Sequence, residues 1–87
     1  MTSARDAHID AVEEAVSAIV RVAAPLVQVR ARVMAAQGSI AHAVGQSDSH
    51  AAREALADLA DCARLIDDMH AKLVNAEDSL GHYRAAI

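Results

Sequence analysis

The amino-acid sequence predicts an all-α fold: an antiparallel helical hairpin of long helices, two copies of which pair as a four-helix bundle. Three features carry that expectation. In the second half, Ala52, Ala55, Leu59, Cys62, Ile66, Met69, Leu73, Ala76, Leu80, Tyr83 and Ile87 fall alternately three and four residues apart over five heptads. That is the spacing of a coiled-coil seam. Alanine, the best helix former, contributes 22 of the 87 residues. The chain has one break, where Gly38, Gly45 and the run Gln46-Ser47-Asp48-Ser49 interrupt the periodicity.

Helix 1 is expected over about residues 4–43. Ser3 stands three residues before Asp6, the spacing of a weak capping box. The seam of this helix reads Ile9, Val12, Val16, Ile19 or Val20, Ala23, and Leu26 or Val27, beyond which the pattern widens from Val33 on. Val22, Val29, Met34, Ala35 and Ala36 then place apolar atoms on nearly every face. A helix apolar around most of its circumference is covered on more than one side. Pro25 falls inside the helix, where it removes one hydrogen bond and crowds the preceding turn. A kink is expected there, with a complete break as the alternative.

The loop is expected at about 44–48, followed by helix 2 over about 49–86. Ser47, Asp48 or Ser49 can cap helix 2 by accepting from a free backbone N–H. Charge favours the antiparallel arrangement. Helix 1 opens with Asp6, Asp10, Glu13 and Glu14 and turns basic at Arg21, Arg30 and Arg32. Folding about residue 47 places Arg30 and Arg32 beside Asp58 and Asp61, and Asp10 and Glu13 beside Arg84. Exposed pairs stabilise by only about 0–1 kcal/mol each, so their use is to select register. Arg64–Asp68 and Asp68–Lys72 have the i,i+4 spacing of a solvated face.

Size and composition bound the rest. A chain of 87 residues is a single domain whose core is small. It has no Phe or Trp to anchor a compact globule, and small domains often gain stability by association. The net charge of −4 argues against nucleic acid as a partner, since phosphate binding needs a basic face. Arg21, Arg30 and Arg32 interrupt the most apolar stretch, which argues against a membrane span. No signal peptide is expected, because Asp6, Asp10, Glu13 and Glu14 occupy the place of an apolar run. One cysteine permits no disulfide within the chain, which fits a cytoplasmic setting; secretion by a signal-peptide-independent route is the alternative.

No catalytic, cofactor or metal site is expected. Five histidines invite a metal reading, with Asp67-x-x-His70 as the nearest approach to the Glu-x-x-His of helical di-iron sites. Asp is one methylene short, and no second copy of the motif follows. Cys62 is expected to fill the seam, where burial would leave its thiol inert. The residues expected to form the interface are Val16, Ile19, Leu26 and Val33 on helix 1. On helix 2 they are Leu59, Cys62, Ile66, Met69, Leu73, Leu80 and Tyr83.

The tail from Leu73 to Ile87, with its Leu…Ala…Leu-x-x-Tyr ending at Leu73, Ala76, Leu80 and Tyr83, resembles small Ala-rich two-helix proteins of actinobacteria. It is distantly similar in layout to the hairpins of type VII secretion. That family carries Trp-X-Gly at its turn, whereas here Gly38 and Gly45 follow Gln37 and Val44. Its Tyr-x-x-x-acid signal would need an acid where this chain has Ile87. The resemblance implies a helical hairpin that pairs with other helices. The expected function is a non-enzymatic interaction module, self-associating or binding a partner helix. The alternatives are a small partner protein of the secretion or toxin-associated kind and a metal-binding bundle.

Overall fold

In the computed structural model, residues 3–45 and 49–87 are described. They form two helices, α1 (Ala4–Val44) and α2 (His50–Ala86), packed against each other as a hairpin. The loop expected at 44–48 falls largely at residues 46–48, outside the described residues.

Each helix starts on a serine cap. Ser3 is extended, and its Oγ accepts from the Asp6 N–H at 3.1 Å. Ser49 does the same for the Ala52 N–H at 3.3 Å. Each hydroxyl satisfies one of the amides that the first turn leaves without a carbonyl. Of the three caps considered for helix 2, Ser49 is the one used; Ser47 and Asp48 lie outside the described residues.

α1 passes through Pro25 without ending, so the reading as two separate helices is corrected. Pro25 is exposed. The exposed carbonyl that loses its bond can turn to water, which removes much of the cost of a proline in mid-helix. Gly38 likewise does not end the helix, which continues to Val44.

The molecule is a rod. Its extents are 68 × 16 × 15 Å. The radius of gyration is 19.8 Å, against about 12 Å for a compact domain of this length. Among the described residues only Val12 and Ala63 are fully buried, at 6% and 7% exposure. Two helices side by side cover one stripe of each other and leave the rest to solvent.

Candidate interaction surface

The contact stripe of α1 is Ile9, Val12, Val16, Ile19, Ala23, Leu26, Arg30, Val33, Gln37, Ile40 and Val44, a strict alternation of three and four. All but Arg30 are buried or half-buried. Of the paired alternatives, Ile19 and Leu26 face α2, while Val20 and Val27 stand outside at 47% and 64% exposure.

On α2 the stripe runs through Ala52, Leu56, Leu59, Ala63, Ile66, His70, Leu73, Glu77, Leu80, Arg84 and Ile87. Half of the expected seam is therefore in place: Leu59, Ile66, Leu73 and Leu80 are half-buried. The other half lies outside the hairpin's own contact. Cys62 is exposed, Ala76 is exposed, and Met69 and Tyr83 are each 47% exposed. Within the hairpin Ala63 and Glu77, each one residue further along than Cys62 and Ala76, are buried and half-buried in their place, while His70 and Arg84, beside Met69 and Tyr83, are themselves exposed. Both selections satisfy the heptad rule, because each alternates steps of three and four about the shared Leu59, Ile66, Leu73 and Leu80. What separates them is charge and size. The stripe in use aligns Arg84 with Glu13, and it puts the small Ala63 at the closest approach, where Cys62 would be bulkier.

Two ion pairs cross between the helices. Arg30 donates through Nε to Asp67 Oδ1 at 2.6 Å and through Nη2 to Oδ2 at 3.3 Å, a two-pronged contact. Arg84 Nη2 lies 2.6 Å from Glu13 Oε1. The two share one register: seventeen residues down α1, from 30 to 13, is seventeen up α2, from 67 to 84. At the far end Arg5 Nε donates to the Ile87 carbonyl at 2.7 Å. The Arg84–Glu13 pair is as expected, but Arg30 meets Asp67 rather than Asp58 or Asp61. At this register Asp58 and Asp61 lie past Arg30 toward the loop. The hydrogen bond to Asp67, and then the attraction of its charge, hold the Arg30 guanidinium above its ordinary pKa.

On the outer face of α2, Arg64 pairs with Asp61 rather than Asp68. Long helical side chains lean toward the N-terminus, which brings the residue three positions earlier within reach. His50 Nε2 lies 3.2 Å from Glu54 Oε1, with both side chains well exposed.

The hairpin has two flanks, one on each side of the seam. Grooves between the helices identify the first. One groove joins Leu26, Val27 and Arg30 to Ile66, Asp67 and His70. A second joins Val20 and Val27 to His70 and Val74, and a third joins Glu13 and Ser17 to Gly81 and Arg84. This flank carries both interhelical ion pairs. Helical periodicity then assigns the opposite flank. It comprises Ala15, Val22, Val29, Ala36 and Ala43 from α1, and Ala55, Cys62, Met69, Ala76 and Tyr83 from α2. None of these ten is charged, and eight are exposed. Leu65, 63% exposed, extends it outward, and a shallow groove along α2 runs between Leu65, Asp68, Met69, Lys72 and Leu73, so that charge borders the flank at its outer edge. The sequence signal for this flank was present in the wide apolar distribution of helix 1. Its counterpart on α2 is the part of the apolar alternation that the hairpin leaves exposed.

The residues weighed for metal chemistry are not brought together. Asp67 is engaged by Arg30 through both oxygens, and His70 stands exposed in the groove beside it. Among the described residues no three His, Cys, Asp or Glu side chains are grouped to hold an ion. No helix among them is long and apolar enough to cross a membrane. Compared with protein families, curated proteins and solved structures, the chain matches none.

Proposed function

We propose that this protein is a non-enzymatic interaction module, a helical hairpin that packs against further helices as a structural or adaptor subunit. The observation that carries the reading is the mismatch between apolar content and burial. The chain exposes 6386 Å², against about 4,900 Å² for a compact monomer of its mass. Val20, Val22, Val27, Val29, Met34, Leu65, Met69, Val74 and Tyr83 all stand more than a third exposed. Apolar surface in contiguous stripes marks association sites, whereas single exposed residues do not.

The polar groups fit the same reading. Those of the charged flank line open grooves between the helices, and two pairs of them cross the seam at one register. The exposed lone thiol of Cys62 is best suited to a reducing compartment, which supports a cytoplasmic setting.

The reading is tested on the purified chain. Helicity, thermal midpoint and dye binding to apolar surface are measured over a tenfold concentration range. The expected result is either a defined oligomer whose midpoint rises with concentration, or a monomer of low stability that binds the dye. A monomer that melts sharply at high temperature, independent of concentration and without dye binding, would overturn it.

A further inference from the structure

We infer that the uncharged flank is the interface for a second copy of this chain, in a two-fold dimer whose loops lie at the same end. The inference rests on the interaction-module reading above and assigns its surface and its occupant.

Three observations select the occupant. The first is area. The chain exposes roughly 1,500 Å² more than a compact monomer of its mass would. A standard interface takes about 800 Å² from each partner, and a face 68 Å long and 16 Å wide can supply it. A short peptide or a single partner helix seated between α1 and α2 would leave the outer rows of the flank, such as Leu65, open to solvent. A second hairpin covers them.

The second is the absence of charge. The opposite flank carries Arg30–Asp67 and Arg84–Glu13, whose desolvation by a partner would be costly. The ten positions of the uncharged flank carry no such cost. Their side chains are mostly Ala and Val, which let helix axes approach closely. A two-fold interface uses one patch on both subunits, so the patch must complement itself. An uncharged apolar stripe does so.

The third is charge at the rim, which fixes the orientation. With both loops at one end, α1 of each copy lies on α2 of the other, and every neighbouring pair of helices is antiparallel. The register set by Arg30 and Asp67 carries over to the facing helices. Arg32, which makes no ion pair among the described residues, then falls opposite Leu65 of the other copy. The facing Asp61 and Asp68 lie about one turn to either side. With loops at opposite ends, α2 lies on α2, and the two Lys72 residues meet near the middle of the rod.

The test combines mass with distance on the full-length chain. A nitroxide is carried at position 42, in place of His42, by an unnatural amino acid that couples without a thiol, so that Cys62 stays in place. Position 42 is exposed in the last turn of α1 and lies off both flanks. The expected mass by light scattering is twice 9.1 kDa. The expected label separation is below about 30 Å, since both labels lie at one end. The opposite-end arrangement sets them about 50 Å apart, at 1.5 Å of rise per residue. Val29→Glu and Met69→Glu should each return the mass to that of one chain, while Val27→Glu on the charged flank leaves the dimer intact.

A dimer with labels near 50 Å would overturn the orientation. A dimer broken by Val27→Glu but not by Met69→Glu would overturn the choice of flank. A monomer at every concentration would overturn the second copy as occupant. If that monomer is also poorly stable and binds dye, the interaction-module reading survives; if it is rigid and stable, both fall.

Discussion

The two flanks of this hairpin carry similar apolar side chains and differ in where charge is set among them. On one, Val20, Val27 and Val74 alternate with Glu13, Arg30, Asp67 and Arg84, and two ion pairs cross the seam. On the other, Val22, Val29, Met69 and Tyr83 alternate with alanines and Cys62, and charge enters only at the outer edge, at Asp68 and Lys72. Hydrophobicity alone does not distinguish the flanks, since each has valines about half exposed. Charge does. It fixes the register of α2 on α1 along one side and leaves the other side free for contact with a second surface.

Seam and flank can be separated by truncating chemically identical side chains. Leu73 is half-buried in the seam, whereas Leu65 is 63% exposed. Leu73→Ala should destabilise the hairpin by about 2 kcal/mol, the lower end of the range for buried leucines because its burial is partial. In a domain of this size that lowers the thermal midpoint by roughly 8–16 °C. Leu65→Ala should leave a dilute, monomeric sample almost unchanged by the same melt. Equal losses at the two positions would mean the seam has been placed on the wrong stripe.

Enlarging a side chain probes the seam from the opposite direction. Ala63 is the one fully buried residue of α2 among those described, and it faces α1. Ala63→Leu should cost about 1–3 kcal/mol through overpacking, read from a denaturant midpoint. Ala76→Leu, on the uncharged flank, adds the same atoms to open space and should cost little. If Ala63→Leu stabilised the hairpin, the helices would be further apart at that layer than the structure places them.

The hairpin itself was legible because its signals are local. The Ser3 and Ser49 caps, the apolar alternation and the single glycine-serine break each act within a few residues. The choice between two adjacent stripes on α2 was not local. Leu59, Ile66, Leu73 and Leu80 belong to both stripes, so they were placed correctly by either reading. Cys62, Met69 and Tyr83 belong to one stripe only, and their placement depends on which α1 residues lie opposite. That was settled by Arg30 reaching Asp67 and by Arg84 reaching Glu13, contacts between residues far apart in the chain. The expected pairing of Arg30 with Asp58 or Asp61 differs for the same reason, since the register rests on contacts between residues far apart in the chain.

Glycines inside the helices offer a smaller, stabilising effect. Gly38 and Gly81 are helical, and a Cβ added at either meets nothing within 4 Å. Gly38→Ala and Gly81→Ala should each stabilise by about 0.5–1 kcal/mol, because alanine loses less backbone freedom on folding. Gly45 differs: a Cβ there would stand 2.9 Å from the Ala41 carbonyl oxygen. Gly45→Ala should bring no gain. Thermal melts of the three variants side by side test the contrast, and a gain at Gly45 matching the other two would contradict the backbone geometry at the end of α1.

The smallest expected effect concerns the Arg30–Asp67 contact, and its salt dependence says how Arg30 acts. Arg30 occupies a seam position, yet its guanidinium is exposed and reaches Asp67 at 2.6 Å. Arg30→Gln removes the charge and keeps much of the stem. If the ion pair is what counts, the variant should melt slightly below the parent in low salt, by less than either helical glycine changes it. The difference should vanish near 1 M salt, where the screening length falls to about 3 Å. If instead the apolar stem contributes by covering Leu26 and Ile66 along the groove they share, Arg30→Gln should cost little and Arg30→Ala more, independent of salt. The flank comparison predicts the first pattern, since it assigns this side of the hairpin its register through charge. A salt-independent loss confined to Arg30→Ala would mean that packing alone sets the register, and that the ion pairs form only because the helices already lie there.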